Sequence, residues 1–458
     1  MLCLVAGSTR RVEMAEQVTT DKVGRKLEQL VRLRFPEEFF AGDFARAVKT
    51  RITRREIFTL WNAHIQEIQS LQVPPRLQFY VHIPFCASKC SYCQFDSVVP
   101  KDHEQVENFV RHIEKEALLF FDLLGQVPFI NASIGGGTPS ILNPSQMQNL
   151  CEAFFGKLVS RESVRYFSVE VNPDSVRKEH LDVLCNFGLT RVSVGVQSLE
   201  RQVLECVCRG HQTKEHIIRA TTIVRDFPSL HLNFDLIAPL PLETEVSLLE
   251  GLKFLFSLQP DSITLYLYQE KQGCPQSDFV SYEHASEILE HQARLHNYIY
   301  FRSRVSSFAV RYVPEWQDIR YEQHTVMPSS TMGFGPFSES HIFGHAIYKC
   351  VWNRRRLFSY LGLPVRSGFE ARAFLAKSAA EQVPVDIADF MTLFGISPSE
   401  VAGEELCYLE RGGKAVIINN TITWRFDDHK DAGLHAGLFH DFDFLRKLYV
   451  TPRRDSLP

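Results

Sequence analysis

No apolar run in the 458-residue sequence reaches the roughly 18–20 residues that a membrane-spanning helix needs, so no membrane association through such a helix is expected. Charge of one sign is not in excess: 50 Lys and Arg stand against 54 Asp and Glu, a formal net charge of -4. Nucleic-acid binding, which draws on concentrated Lys and Arg, is therefore not expected either. No internal repeat is visible. The first residues, MLCLVAGSTRR, place a short apolar patch ahead of arginines, the reverse of a secretory signal. Glu13 and Glu16 speak against a cleavable organelle-targeting segment. The eleven cysteines are odd in number and most are isolated in apolar patterns, as at Cys151, Cys185 and Cys350. They read as reduced core thiols in a reducing compartment, with the cytoplasm as the expected location.

One stretch, Tyr80 to Ser97, breaks that isolation. Cys86, Cys90 and Cys93 stand there in a C-x3-C-x2-C spacing directly after a short apolar run. Three thiolates on one tight loop can hold three corners of an iron–sulfur cluster. No fourth cysteine follows locally, so a 4Fe–4S cluster would keep one iron open to a small chelating ligand. Three structural thiols and a zinc knuckle are the competing readings. Zinc wants a fourth ligand, and the nearest candidate is His82 in the preceding strand, with Pro84 stiffening the chain between it and Cys86.

A chain of this length can bury a large core, and the pattern predicts one main domain with smaller appendages. Residues 1–75 read as a helical, charged extension, with helical spacing over Asp21–Leu33 and Glu56–Leu71. VPPRL then stops helix and leads into strand. Apolar, β-branched runs follow at Phe79–Ile83, Phe129–Ile134, Tyr166–Val171, Arg191–Val196, Leu232–Ile237 and Ile263–Tyr268, separated by helical text such as Glu104–Leu124 and Gln146–Val159. Strands alternating with helices predict a parallel sheet with right-handed crossovers. Six units suggest an α/β fold, a partial (β/α)6 barrel over residues 76–303, with chemistry at the C-terminal strand ends. A long helix is expected over Tyr282–Ser303, a barrel-completing or substrate-covering segment over 304–370 with a glycine-bearing turn at Thr331–Ser340, and a small α+β domain over 371–458.

Several residues at those strand ends carry chemistry. Gly135, Gly136 and Gly137 follow a strand, where backbone without Cβ atoms can approach a ligand or simply make a tight turn. Thr138 adds a hydroxyl. Glu170 and Asp235 are charges inside apolar strands, costly unless paired or hydrogen-bonded; an outward-facing edge position is the other reading of Glu170. Gln197 ends a strand and can both donate and accept. Arg209, by itself, reads as a solvent-exposed helix residue. Tyr80, by itself, is a half-buried core tyrosine.

The cysteine spacing resembles the radical S-adenosylmethionine (SAM) superfamily. The words YVHIPFC, GGGTPS, VEVNPDS, RVSVGVQS and NFDLIAPLP, in that order, resemble the oxygen-independent coproporphyrinogen III oxidases and their haem-chaperone and C-methylase relatives. The resemblance covers about Tyr80 to Tyr268. It implies a radical SAM barrel, a 4Fe–4S cluster on the three cysteines, and one SAM (two in some relatives) cleaved to a 5′-deoxyadenosyl radical that acts on a small-molecule substrate. Electrons would come from a low-potential donor such as a flavodoxin or ferredoxin. The resemblance assigns SAM contacts to Tyr80, Gly135, Gly136, Gly137, Thr138, Glu170, Gln197, Arg209 and Asp235, and a second SAM would use Gly136, Thr138 and the Gly333–Gly335 turn. The C-terminal text, with strands at Ala415–Ile418 and Thr421–Phe426, resembles a winged-helix-like tail with a structural role. Two departures stand out. Phe95 occupies the place of a further cysteine of the oxidases, and Tyr321–Pro328 lacks the haem chaperones' HNxxYW word, with His324 as a conceivable haem ligand. The reading that results is a SAM radical enzyme that methylates, cyclises or otherwise rearranges a porphyrinoid or natural-product precursor, with the oxidase and the haem carrier as alternatives.

Overall fold

The computed structural model describes residues 22–28, 50–69, 76–93, 95–268, 279–302, 309–314, 329–352, 358–365, 367–427 and 429–440. Tyr321–Pro328, and with it His324, lies outside them. Thirteen strands form one sheet: β1 (Arg51–Ile52), β2 (Arg76–Ile83), β3 (Asn131–Gly136), β4 (Tyr166–Val171), β5 (Arg191–Gln197), β6 (His231–Ala238), β7 (Ser262–Leu267), β8 (Tyr298–Arg302), β9 (Ala309–Pro314), β10 (Ser329–Phe334), β11 (Glu339–Ile342), β12 (Ala346–Trp352) and β13 (Phe358–Pro364). The order is β1-β13-β12-β11-β10-β2-β3-β4-β5-β6-β7-β9-β8. Strands β2 to β7 are the six expected units, all parallel. The sheet stays open, as a partial barrel does.

Alternation writes the sheet's two faces. Phe79, Phe167, Val192, Phe234 and Ile263 are essentially closed to solvent. They share one core with Phe109, Ile113, Leu150, Leu181 and Leu252 of the crossover helices. Each such side chain contributes roughly 1.5–3 kcal/mol on burial. The helices start where capping chemistry tells them to: Asp102 caps His103–Leu124, and Asn143 with Gln146 boxes the start of Pro144–Ala153. The residues between those core positions, including Tyr80, Ser133, Glu170, Ser193 and Asp235, face the opposite, inner side.

The expected long helix over Tyr282–Ser303 ends at Leu295, and Tyr298–Arg302 is strand β8 instead. Asn297 takes a positive φ of 60° between them, which turns the chain out of the helix. The glycine-bearing turn at Thr331–Ser340 is in fact strand β10, a tight corner and the start of β11. β10 runs parallel to β2, and β11 to β13 continue the sheet antiparallel from it.

The helix Arg54–Ile68, closed by a Thr53–Glu56 capping box, lies on this half of the sheet. Its Trp61 is fully buried and donates its indole N–H to the Tyr348 hydroxyl at 2.8 Å. Beyond it, strands β14 (Val385–Asp386), β15 (Ala415–Ile418) and β16 (Thr421–Trp424) make a separate three-stranded sheet with its own core around Phe390, Leu409 and Trp424. Val23, in the helical residues 22–28, packs into that second core. The nine described cysteines are all unpaired. No helix among the described residues is long and apolar enough to cross a membrane.

Candidate cofactor site

The cysteine loop leaves β2 through Pro84 and is tied down by backbone. Cys86 N–H donates to Val98 O (3.1 Å), Val98 N–H to Pro84 O (2.8 Å), and Ser91 N–H to Val207 O (3.1 Å). Cys86, Cys90 and Cys93 are each half-buried, unlike the core thiols Cys151 and Cys350. His82 does not join them. Its Nε2–H donates to the Asp96 carbonyl (2.9 Å), so Nδ1 accepts from the Tyr80 hydroxyl (2.9 Å), and both ring nitrogens are taken. Burial holds the ring below its usual pKa and therefore neutral. The zinc knuckle loses its fourth ligand.

A hydrogen-bonded chain links two of the cysteines. The Thr138 hydroxyl points at Cys86 Sγ (3.6 Å) and accepts from Asn172 Nδ2 (3.0 Å). Arg209 donates to Asn172 Oδ1 (2.9 Å) and Gly195 O (2.6 Å) through one terminal nitrogen, and to Cys90 Sγ (3.7 Å) through the other. Its Nε donates to Gln212 Oε1 (2.9 Å), while Gln212 Nε2 donates to Val196 O (2.7 Å). Arg209 is only 4% exposed, so it is no surface arginine. Burial works against its charge, but Tyr92 and Cys90 outweigh that and hold it protonated. A guanidinium and a hydroxyl are thus both aimed at cysteine sulfur.

The three glycines owe their identity to close approach. A Cβ on Gly135 would lie 2.8 Å from the Glu170 carboxyl, one on Gly136 2.6 Å from the His82 ring, and one on Gly137 2.4 Å from the Phe85 carbonyl. The last contact accompanies the bonds Gly137 N–H to Ile83 O and Thr138 N–H to Phe85 O, both 2.7 Å, which clamp this turn to the cysteine strand.

Glu170 stands on a central strand, not at an edge. Its side chain is solvent-accessible and yet surrounded by protein, on the inner face of the sheet. Burial pushes its carboxyl up to about 7, with Asp235 adding repulsion and the Gly136 backbone opposing. Asp235 is oriented by the fully buried Asn233, which donates to it (2.7 Å) and accepts from Ser262 (2.6 Å) and Thr264 (2.9 Å). Gln197 ends β5 at a register shift, with a positive φ of 66° and a buried Oε1 that has no partner among the described residues. A strained residue with an orphaned acceptor is what a ligand-facing position looks like.

Eleven of the twelve sequence-selected residues fall on the loop after β2 or on the inner face and C-terminal ends of β2 to β6, and Arg209 reaches them from the turn between helices Arg201–Cys206 and Lys214–Arg225. Sequence reasoning missed Asn172, Gln212 and Asn233. Asn172 and Asn233 left a trace, as polar residues in VEVNPDS and NFDLIAPLP. These residues suit a cluster with one open iron and SAM beside it: three partly accessible thiols with donors aimed at two of them, two carboxylates on the same inner face that repel each other, and an unmatched amide oxygen.

Comparison with known proteins agrees. Residues 80–255 match the radical SAM superfamily. The chain is 28% identical over 200 residues to the oxygen-independent coproporphyrinogen III oxidase of Helicobacter pylori, covering 43% of this chain and 44% of that protein. It is 30% identical over 187 residues to the heme chaperone HemW of Bacillus subtilis, covering 41% and 49%. The matched stretch thus spans less than half the length of these relatives. The solved structure of coproporphyrinogen III oxidase (HemN) from Escherichia coli superposes with a TM-score of 0.68 at 20% identity, over 85% of this chain and 93% of that one. Residues 80–255 are therefore similar to the radical SAM superfamily, and the fold of the chain is that of the coproporphyrinogen III oxidase structure.

Proposed function

We propose that the protein is a radical SAM enzyme acting on a small organic substrate, a porphyrinoid or a natural-product precursor, which it methylates, cyclises or otherwise rearranges. The observation that carries the enzyme reading is the chain Cys86–Thr138–Asn172–Arg209–Cys90, which couples the cysteine loop to the ends of β3, β4 and β5. In this reading Cys86, Cys90 and Cys93 hold the cluster, and Arg209 and Thr138 position two of the sulfurs. Glu170 and Asp235 hold the cationic amino end of SAM, which relieves their mutual repulsion. Gln197 Oε1 accepts from a SAM hydroxyl, Tyr80 stands near the sulfonium, and Gly135–Gly137 keep the wall thin. When bound, cluster and SAM supply one-electron cleavage of a C–S bond and a carbon radical that removes hydrogen from the substrate. A flavodoxin- or ferredoxin-like protein is the proposed electron source, and a reducing cytoplasm the proposed setting.

Phe95, 56% exposed beside Cys93, favours a divergent reaction over oxidative decarboxylation, since the oxidases carry cysteine at that place. The similarity to the Helicobacter pylori enzyme supports coproporphyrinogen III oxidation as the second reading. The test is anaerobic: reconstitute the cluster, add dithionite and SAM, and measure 5′-deoxyadenosine and S-adenosylhomocysteine with and without coproporphyrinogen III or haem. Both products together support methyl or methylene transfer. Deoxyadenosine alone, rising with coproporphyrinogen III, replaces that reading with the oxidase. Neither product, with tight haem binding, overturns the enzyme reading in favour of a carrier.

A further inference from the structure

Away from the cysteine loop, where helix Arg54–Ile68 meets the turn between β11 and β12, a second group of metal-ligating side chains converges. His64 and Glu67 are three residues apart on one helix and share a face. His345 comes from the turn, which is closed by His345 N–H to Ile342 O (2.9 Å) and continued by Val365 N–H to His345 O (2.8 Å). One ring nitrogen of each histidine and one carboxylate oxygen of Glu67 lie within 4.8 Å of one another. His345 Nε2 is 2.8 Å from Glu67 Oε2, and the two imidazoles meet edge to face with centroids 5.5 Å apart.

We propose that His64, Glu67 and His345 bind one divalent transition-metal ion, with Zn2+ the ion this donor set suits, and that the ion fastens helix Arg54–Ile68 to the β11–β12 turn.

A plain surface ion pair needs only His345 and Glu67. The third donor is different in kind: His64 is 2% exposed, and its ring is held by Ser330 Oγ at 2.7 Å from Nε2. That serine is itself fixed by the Phe343 N–H at 3.0 Å. An imidazole held by an outer oxygen on one nitrogen is the arrangement found around metal-ligating histidines. His341, the other nearby histidine, is engaged by Glu370 (2.6 Å), which also accepts from Gly344 N–H (3.1 Å). Glu370 thereby braces the turn that carries His345.

Two nitrogens and one carboxylate oxygen match zinc's preferences, and solvent supplies a fourth ligand beside Glu67, whose side chain is 57% accessible. Zinc bonds of about 2.0–2.2 Å bring tetrahedral donors to roughly 3.3–3.5 Å of each other. From the present 4.8 Å the donors must close by up to about 1.4 Å, through small shifts of the three side chains. On binding, the ion takes the place of the hydrogen bond between His345 and Glu67.

The test uses the full chain with Cys86→Ser, Cys90→Ser and Cys93→Ser, so that the cysteine loop cannot take up the probe. Equilibrium dialysis against Zn2+ alone, with elemental analysis, is expected to give one zinc per chain and a raised Tm. Glu67→Gln and His345→Ala should each weaken binding about tenfold or more. Glu67→Gln is at an accessible position and keeps the test valid should His345→Ala fold poorly. His284→Ala, at an exposed histidine 3.2 Å from Glu245 and 3.4 Å from Glu287, should leave zinc binding unchanged. Absence of stoichiometric zinc in the parent, or equal affinity in parent and Glu67→Gln, would overturn the proposal.

Discussion

The two faces of strands β2 to β7 are made from alternate residues of the same chain, and they obey different rules. The outer face is apolar wherever helices cover it, with Phe79, Phe167, Val194 and Phe234 at 0–1% exposure. Parallel sheets are usually apolar on both faces. Here the inner face carries Tyr80, Glu170, Ser193, Asn233 and Asp235 instead. Folding gains nothing from a carboxyl held near pH 7 by burial, or from an amide oxygen with no partner. The outer face specifies the fold; the inner face spends some of that stability on a site.

The predictions sharpen this contrast. Cys90→Ala should abolish the cluster's brown colour and SAM cleavage while the far-ultraviolet dichroism stays that of the parent. Full iron occupancy in that variant would remove Cys90 from the ligands. Next come neighbours on one strand: Phe167→Ala should cost about 3–5 kcal/mol in denaturant unfolding, whereas Ser168→Ala should stay within about 0.5 kcal/mol. Equal costs would erase the distinction between the faces. Arg209→Met leaves Asn172 Oδ1 and Gly195 O without their donor and should cost about 1–3 kcal/mol, together with SAM affinity. Arg209→Lys should recover only part of both, because one ammonium cannot reach all the positions of the guanidinium.

The smallest effect is in pH dependence. Glu170 and the buried Glu243 both titrate near 7 because burial raises them. Between the ordinary glutamate range and about pH 7 the folded chain therefore holds protons that the unfolded chain has released. Their contribution is complete at acid pH, is lost as pH rises toward 7, and stays lost above it. In cofactor-free protein, Glu170→Gln and Glu243→Gln should each flatten the fall of Tm across that window. A steeper fall in either variant would contradict the assigned direction.

The six parallel strands were legible because β-branched runs alternate with helical text at regular spacing, and the inner-face acids because a charge inside such a run is conspicuous. Strands β10 to β13 were not, since GFGPF reads as a turn and only pairing with β2, about 250 residues earlier in the chain, makes Ser329–Phe334 a strand. β8 was hidden because Tyr298–Arg302 continues a helical pattern, and nothing local announces the break at Asn297. Within the site, Cys86, Cys90 and Cys93 show themselves by spacing. Asn172, Gln212 and Asn233 act by orienting other side chains, and no local pattern marks a residue with that role. The apparent glycine signature was legible for an incomplete reason: Gly135 and Gly136 make room for Glu170 and His82 rather than only for a ligand.

The central claim is that the inner acids receive SAM beside the cluster. The most direct measurement is the electron paramagnetic resonance spectrum of the dithionite-reduced, cluster-reconstituted chain before and after SAM, in parent and Glu170→Gln. The account predicts a SAM-dependent change in the parent that is absent or needs far more SAM in Glu170→Gln, at equal iron content. A parent spectrum indifferent to SAM, or an identical response in the variant, would contradict it.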